Sequence, residues 1–254
     1  MTTTKRRRWP WLLGGAVVLV IVVVLAVPYV YIHFIQADPE PALTFENIDA
    51  SASETTTTVA AASASTAAGA TATTTAAAAG DSIDGSWAVT TGSQAGYRVK
   101  EILFGQDTDA VGRTSAVTGS LSIAATSVTD GSFEVDLTKV TSDESRRDSQ
   151  FQGRIMETSK FPTAAFKLIK PIDLGNLPAD KTVVAYTASG EFTLHGVTKQ
   201  IDVALTARRN GANIEVTGTI PVVFADYQID NPSTAGVSTQ DNGVVEFLLI
   251  FAKG

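Results

Sequence analysis

Two alternating runs within residues 191–205, E-F-T-L-H-G-V-T-K-Q-I-D-V-A-L, put Phe192 and Leu194 on one face of the first run and Ile201, Val203 and Leu205 on one face of the second. Period-two alternation of this kind predicts a β-hairpin with one wet and one apolar side, joined across residues 195–199. A lone hairpin is not stable in water, so its apolar face requires a larger antiparallel sheet. Similar runs recur at residues 86–90, 97–100, 120–123, 133–137, 165–168, 183–186, 214–217 and 244–251, set off by punctuation such as Asn210-Gly211 and Asp130-Gly131. The period changes at residues 143–157, where Phe151 and Ile155 lie four apart among charges, which predicts one short helix. Ser142 or Asp143 is placed to cap its start, and Phe161-Pro162 ends it. So many strands in one domain, residues 81–254, predict an all-β, antiparallel closed barrel with one short helix. A barrel of eight strands is just wide enough to fill itself with side chains or to hold one slender ligand.

A different pattern precedes the strands. Residues 9–37 contain no Asp, Glu, Lys or Arg, and residues 11–32 alone would span roughly 33 Å as a helix, the thickness of a hydrocarbon core. A single transmembrane helix is therefore expected at residues 11–35. Lys5, Arg6, Arg7 and Arg8 in the basic stretch 1–10 orient it with the N-terminus in the cytoplasm and the rest of the chain extracytoplasmic. A cleaved signal peptide is the rival reading; the long run and the bulky residues after it favour a retained signal-anchor at the cell membrane. Residues 36–80 then read as a neck and a linker. The neck, residues 38–49, is expected to be irregular. Residues 50–80 are almost wholly Ala, Thr, Ser and Gly with Glu54 as the one charge, a composition that cannot build a core. As a flexible coil they would reach roughly 30 Å and lift the barrel clear of the membrane, bare or as an O-glycosylated stalk.

Four of the 19 basic residues lie in the first eight positions, so the remainder of the chain carries a balance of −11 against 26 acidic residues. That balance argues against nucleic acid as a partner. The chain has no cysteine, which excludes disulfides, thiol chemistry and thiolate metal sites.

The order of motifs carries a resemblance. Gly85-Ser86-Trp87 opens a strand, V-T-G-S-L follows at residues 117–121, Arg147-Asp148 falls in the helix, K-F-P-T-A-A-F occupies residues 160–166, and G-E-F-T-L-H-G-V-T-K occupies residues 190–199. This series resembles the YceI-like family of exported, lipocalin-like barrels from about residue 83 to the C-terminus. The resemblance implies an elongated barrel whose apolar tunnel holds an isoprenoid or related long-chain lipid, with no known reaction. The chain departs from the pattern at Val99-Lys100-Glu101, where the family has a lysine-histidine pair, and in residues 226–239. Those departures bear on the ligand rather than on the fold.

Of two histidines, His33 belongs to the apolar run and His195 alone lies in the domain. No G-x-S-x-G, H-E-x-x-H or D-x-D-x-D spacing accompanies it, so no enzyme activity, cofactor or metal is expected. His195 reads either as a hydrogen-bonded turn residue or as a contact for a polar ligand head at a barrel mouth. Arg147 reads either as half of a surface ion pair or as a fastener of the helix across that mouth. Val135, Leu137, Phe166, Leu168, Phe192 and Leu194 face inward by alternation, as ligand-lining or core positions. The functional expectation is a membrane-anchored barrel in the cell envelope that binds or sequesters a long-chain apolar lipid. The alternative is a ligand-free envelope interaction module with a solid core.

Overall fold

The computed structural model describes residues 39–47, 49–50, 82–103, 105–176, 179–234 and 236–254, together with Val22 and Ala26. The expected membrane helix at 11–35, but for those two positions, and the Ala/Thr/Ser-rich linker lie outside the described residues. Among the described residues no helix is long and apolar enough to cross a membrane.

Thirteen strands form one sheet: β1 (Gly85–Val89), β2 (Gln94–Leu103), β3 (Gln106–Thr114), β4 (Val117–Ala124), β5 (Ser127–Asp136), β6 (Thr141–Ser142), β7 (Thr163–Leu168), β8 (Ile172–Asp173), β9 (Val184–Leu194), β10 (Val197–Asn210), β11 (Asn213–Val223), β12 (Val237–Thr239) and β13 (Asn242–Lys253). Consecutive strands β1 and β2 are two halves of one bent wall position, because β1 pairs with β4 while β2 pairs with β3. From that long bent hairpin the order runs through β5, β7, β9, β10 and β11 to β13, which returns to pair with both β1 and β2. Every pairing is antiparallel, and the ring closes as an eight-position barrel. Closure satisfies the edge hydrogen bonds that an open sheet would leave for other chains.

The hairpin of β9 and β10 carries the expected alternation, with Phe192, Leu194 and Val203 buried. Its turn is tighter than the sequence pattern indicates. Strand pairing resumes at Val197, opposite Leu194, so only His195 and Gly196 turn the chain. Both are left-handed, at φ 50° and 76°, as a two-residue turn matched to strand twist demands.

Strand β3 has no counterpart among the expected runs. Its Q-D-T-D-A-V-G-R-T sequence reads as a loop because Asp107 and Asp109 interrupt the alternation. In the barrel Asp109 stands opposite Lys100 across the β2–β3 ladder, with Lys100 Nζ 2.7 Å from its carboxylate, and the acidic face points outward.

The helix is also shorter than the expected 143–157. An α-helix over Ser145–Gln150 passes into a π-helical turn at Phe151–Ile155. Its cap is Glu144, whose carboxylate accepts from the Arg146 backbone N–H at 3.3 Å, and not Ser142 or Asp143. Ser142 is engaged elsewhere, donating from its backbone N–H and hydroxyl to Asp148 at 2.8 and 2.6 Å. Arg147 pairs with Asp143 one turn back. Asp148 rather than Arg147 thus ties the helix to β6. The same segment drives Phe151 inward, where its ring stacks on Tyr97 at 4.9 Å.

The neck is not an irregular spacer. Residues 45–47 and 49–50 are helical, Phe45 is buried, and the segment lies against the outer wall, where Arg208 clasps Asp49 and Arg98 donates to the Glu40 carbonyl oxygen.

Candidate functional site

The barrel interior is divided. The larger chamber has a volume of about 560 Å³ and is walled by apolar side chains including Tyr97, Val99, Val135, Leu137, Leu194 and Phe224. Asp143, Glu144, Arg146 and Arg147 from the helical connection, with Glu101 from β2, line it as well. Asp143, Glu144 and Arg146 are exposed, so the chamber meets water on this charged side, as it does past the exposed Thr234. A smaller chamber of about 140 Å³ lies among Leu121, Ile123, Leu168, Ala188, Ile214 and Leu249. The two share no lining residue.

Strand register explains the partition. Phe133, Phe166 and Phe192 stand side by side on β5, β7 and β9, forming a transverse aromatic row. The Phe133 ring packs on Phe166 at 5.8 Å and reaches Phe247 of β13 at 5.2 Å, so the row continues across the bore. One step further along the barrel on one side, Val135 and Ala164 line the larger chamber; on the other, Gly131 and Leu168 line the smaller. A glycine makes room for the row: a Cβ on Gly190 would lie 2.2 Å from the Phe166 ring. Phe192 and Ile220, each 1 % exposed, are the most enclosed large side chains of the domain.

The expected interior residues therefore fall into three groups. Val135, Leu137 and Leu194 line the larger chamber, Phe166 and Leu168 line the smaller, and Phe192 lies in the partition and lines neither. The two residues expected at a polar mouth are separated as well. Arg147 lines the larger chamber at its charged side, whereas His195 lines no chamber. The His195 Nδ1–H donates to the Tyr227 carbonyl oxygen at 3.0 Å, and Nε2 lies 3.3 Å from the Glu157 carboxylate without an aligned hydrogen bond. The Phe161 ring meets the imidazole edge-on at 4.6 Å. The imidazole thereby fastens the β9–β10 turn to the loop after the helix and to the 3₁₀ turn Phe224–Tyr227.

Electrostatics at the chamber are set by burial. The Tyr97 hydroxyl is pushed well above the ordinary phenol range by desolvation. Glu101 is also pushed up, first by burial, with Arg147 opposing and Asp143 adding to the shift. A carboxyl held above its unfolded value penalises the fold only when ionised, so stability falls as pH rises from 4.5 through the folded value. Glu101→Gln is expected to raise the melting temperature at neutral pH by about 2–4 °C and to leave it unchanged near pH 4, as read by thermal denaturation. Equal gains at both pH values would assign the effect to packing instead.

The YceI-like domain family matches residues 87–251, which spans the ring of strands from β1 to β13. The chain belongs to the YceI-like family. A polyisoprenoid-binding domain from Saccharophagus degradans, implicated in plant cell wall breakdown, superposes with a TM-score of 0.54 over 66 % of this chain and 98 % of that one. The two are 18 % identical, so the likeness is one of fold. BcnA of Burkholderia cenocepacia is 17 % identical over 61 % of this chain and 95 % of that one, with a TM-score of 0.47. In sequence, UPF0312 protein VPA0850 of Vibrio parahaemolyticus is 30 % identical over 127 residues, which is 46 % of this chain. The chain spans 64 % of that relative's length.

Within this YceI-like barrel, the chamber residues that sequence reasoning did not name lie in or just beyond the alternating run 97–100 and in a turn. Tyr97 and Glu101 sit on β2, Glu101 in the stretch that departs from the family pattern, and Phe224 sits in a 3₁₀ turn. For Glu101, a carboxylate at an inward position of β2 was the available signal.

Proposed function

We propose that this YceI-like barrel binds a long, flexible apolar chain in its larger chamber, with the polar end of the ligand at the Glu101–Arg147 side. The observation that carries this reading is an apolar space of about 560 Å³ with a cluster of charged groups along one open side. Its volume lies in the range typical of small-molecule sites, where a few polar groups orient an otherwise apolar ligand. Each buried CH₂ contributes about 0.8 kcal/mol, so affinity grows with chain length until the partition is reached. The polyisoprenoid-binding function named for the Saccharophagus degradans domain, on a shared fold, supports an isoprenoid as the chain. The charge-free run 9–37, preceded by four basic residues, supports a membrane-anchored protein with the barrel on the outer side. The role proposed is holding or transfer of a lipid, without chemistry performed on it.

Organic extraction of the purified full chain followed by mass spectrometry is expected to yield an apolar chain. Leu194→Trp, which fills the chamber from β9, is expected to lower uptake of an added isoprenoid about tenfold or more, the equivalent of losing two or three methylene contacts. A barrel that is empty on isolation and takes up no isoprenoid would favour the solid interaction module instead.

A further inference from the structure

The outer face of the barrel wall carries charges that are buried although they point away from the interior. Arg113 and Glu246 stand on either side of Gly96 in the β3–β2–β13 register, and they pair across it. A Cβ on Gly96 would lie 3.0 Å from the Arg113 side chain, so the glycine is what lets the guanidinium cross. Arg98 joins the same carboxylate at 2.6 Å, and Glu246 is only 4 % exposed. Two strands away Arg208 pairs with Glu215 at 2.6 Å, with side chains 6 % and 7 % exposed. Between the pairs, Thr217 and Leu248 face outward opposite each other and are also buried.

What lies over this row is the chain's own residues 39–47 and 49–50. Glu40 offers its carbonyl to Arg98 at 2.6 Å and its carboxylate to Arg113 at 4.0 Å. The Leu43 carbonyl accepts from the Thr217 hydroxyl, Phe45 lies under the Arg208 guanidinium at 4.3 Å, and Asp49 takes both Arg208 Nη atoms at 2.7 Å. An aromatic ring and two acidic side chains thus meet arginines whose remaining nitrogens are already bound to the wall. A planar fork held in this way is suited to bidentate capture and ring stacking.

We infer that residues 39–50 are a latch, docked in a groove built for an acidic and aromatic segment. The latch fixes this wall of the barrel next to the point where the charge-free N-terminal run ends. The stretch between Asp49, bound to Arg208 of β10, and Ser82, whose carbonyl accepts from Lys253 of β13, joins two points held on the barrel, so it does not set the height of the barrel while the latch is closed. Opening the latch would hand that reach back. The bearing on a membrane rests on the anchor proposed above; the latch does not.

The test uses the full chain with a site-specific protease sequence placed within residues 55–75, purified in detergent and then cut. At low salt the N-terminal fragment is expected to co-elute with the barrel, and to be released as salt rises. Phe45→Ala, which alters the latch and leaves every strand pairing intact, and Arg208→Ala are each expected to weaken retention about tenfold. Separation of the fragment at low salt with the native groove would overturn the latch. The same cut in vesicles of phosphatidylethanolamine and phosphatidylglycerol separates the two readings. An uncut chain that fails to sediment with vesicles refutes the anchor, whereas a cut barrel that leaves sedimenting vesicles refutes the latch.

Discussion

Glu246→Ala is expected to destabilise the barrel by about 3–5 kcal/mol, the cost of leaving buried guanidinium groups without their carboxylate. Glu246 holds Arg98 at one oxygen and Arg113 at the other, and burial already pushes the Arg113 guanidinium below its ordinary value. Removing the carboxylate leaves two cations side by side with Asp109, 3.3 Å from Arg98, as the nearest replacement. Glu246→Gln keeps the shape and part of the hydrogen bonding, so a smaller loss is expected. Replacing Arg113 and Glu246 together with apolar residues of similar size is expected to recover most of the stability, because it removes the charges along with their partners. Urea denaturation of the full chain measures all three. A loss below about 1 kcal/mol for Glu246→Ala would show that water reaches the pair, as it does at ordinary surface bridges, and that the wall is not covered.

The second large effect concerns ligand length. Phe166→Ala opens the aromatic row between the chambers, and the chain recovered from the barrel is expected to lengthen by several carbons as the smaller space of about 140 Å³ becomes reachable. The variant also loses about 3–5 kcal/mol of stability, the usual cost of truncating a buried phenylalanine. Phe133→Leu trims the same row with a smaller penalty and serves when the alanine variant folds poorly. Mass spectrometry of bound chains from native and variant proteins reads the difference. Identical length distributions would mean that the row does not limit the ligand.

Elements whose physics is local were legible in the sequence. The alternation of residues 191–205 fixed which side chains of β9 and β10 point inward, since a slip of one residue would have exposed Phe192 and Leu194 together. Strand β3 was not legible, because its Asp109 is stabilised by Lys100 and Arg98 on a neighbouring strand rather than by anything in its own run. The latch was hidden for the same reason on a larger scale. Asp49 and Arg208, or Glu40 and Arg98, are far apart in sequence, and nothing in the neck's own composition announces a partner. In the site, Val135, Leu137 and Leu194 could be named as inward-facing from alternation, but their division from Phe166 and Leu168 depends on how three phenylalanines align across strands. His195 stood out as the only histidine of the domain, yet its imidazole is spent on the Tyr227 carbonyl.

The way the ring closes also bears on when this domain can exist at all. The last strand, β13, is the shared neighbour of β11, β1 and β2, with Trp87 opposite Lys253 and Val89 opposite Phe251. Contacts between the two ends of a domain have the largest sequence separation available and form slowly, because a long loop must close before they return any stabilisation. Until β13 has left the ribosome, β1, β2 and β11 each keep one free edge, open to pairing with a neighbouring chain. The domain is therefore completed only once β13 is available, and a chain truncated within β13 would remain an open, association-prone sheet.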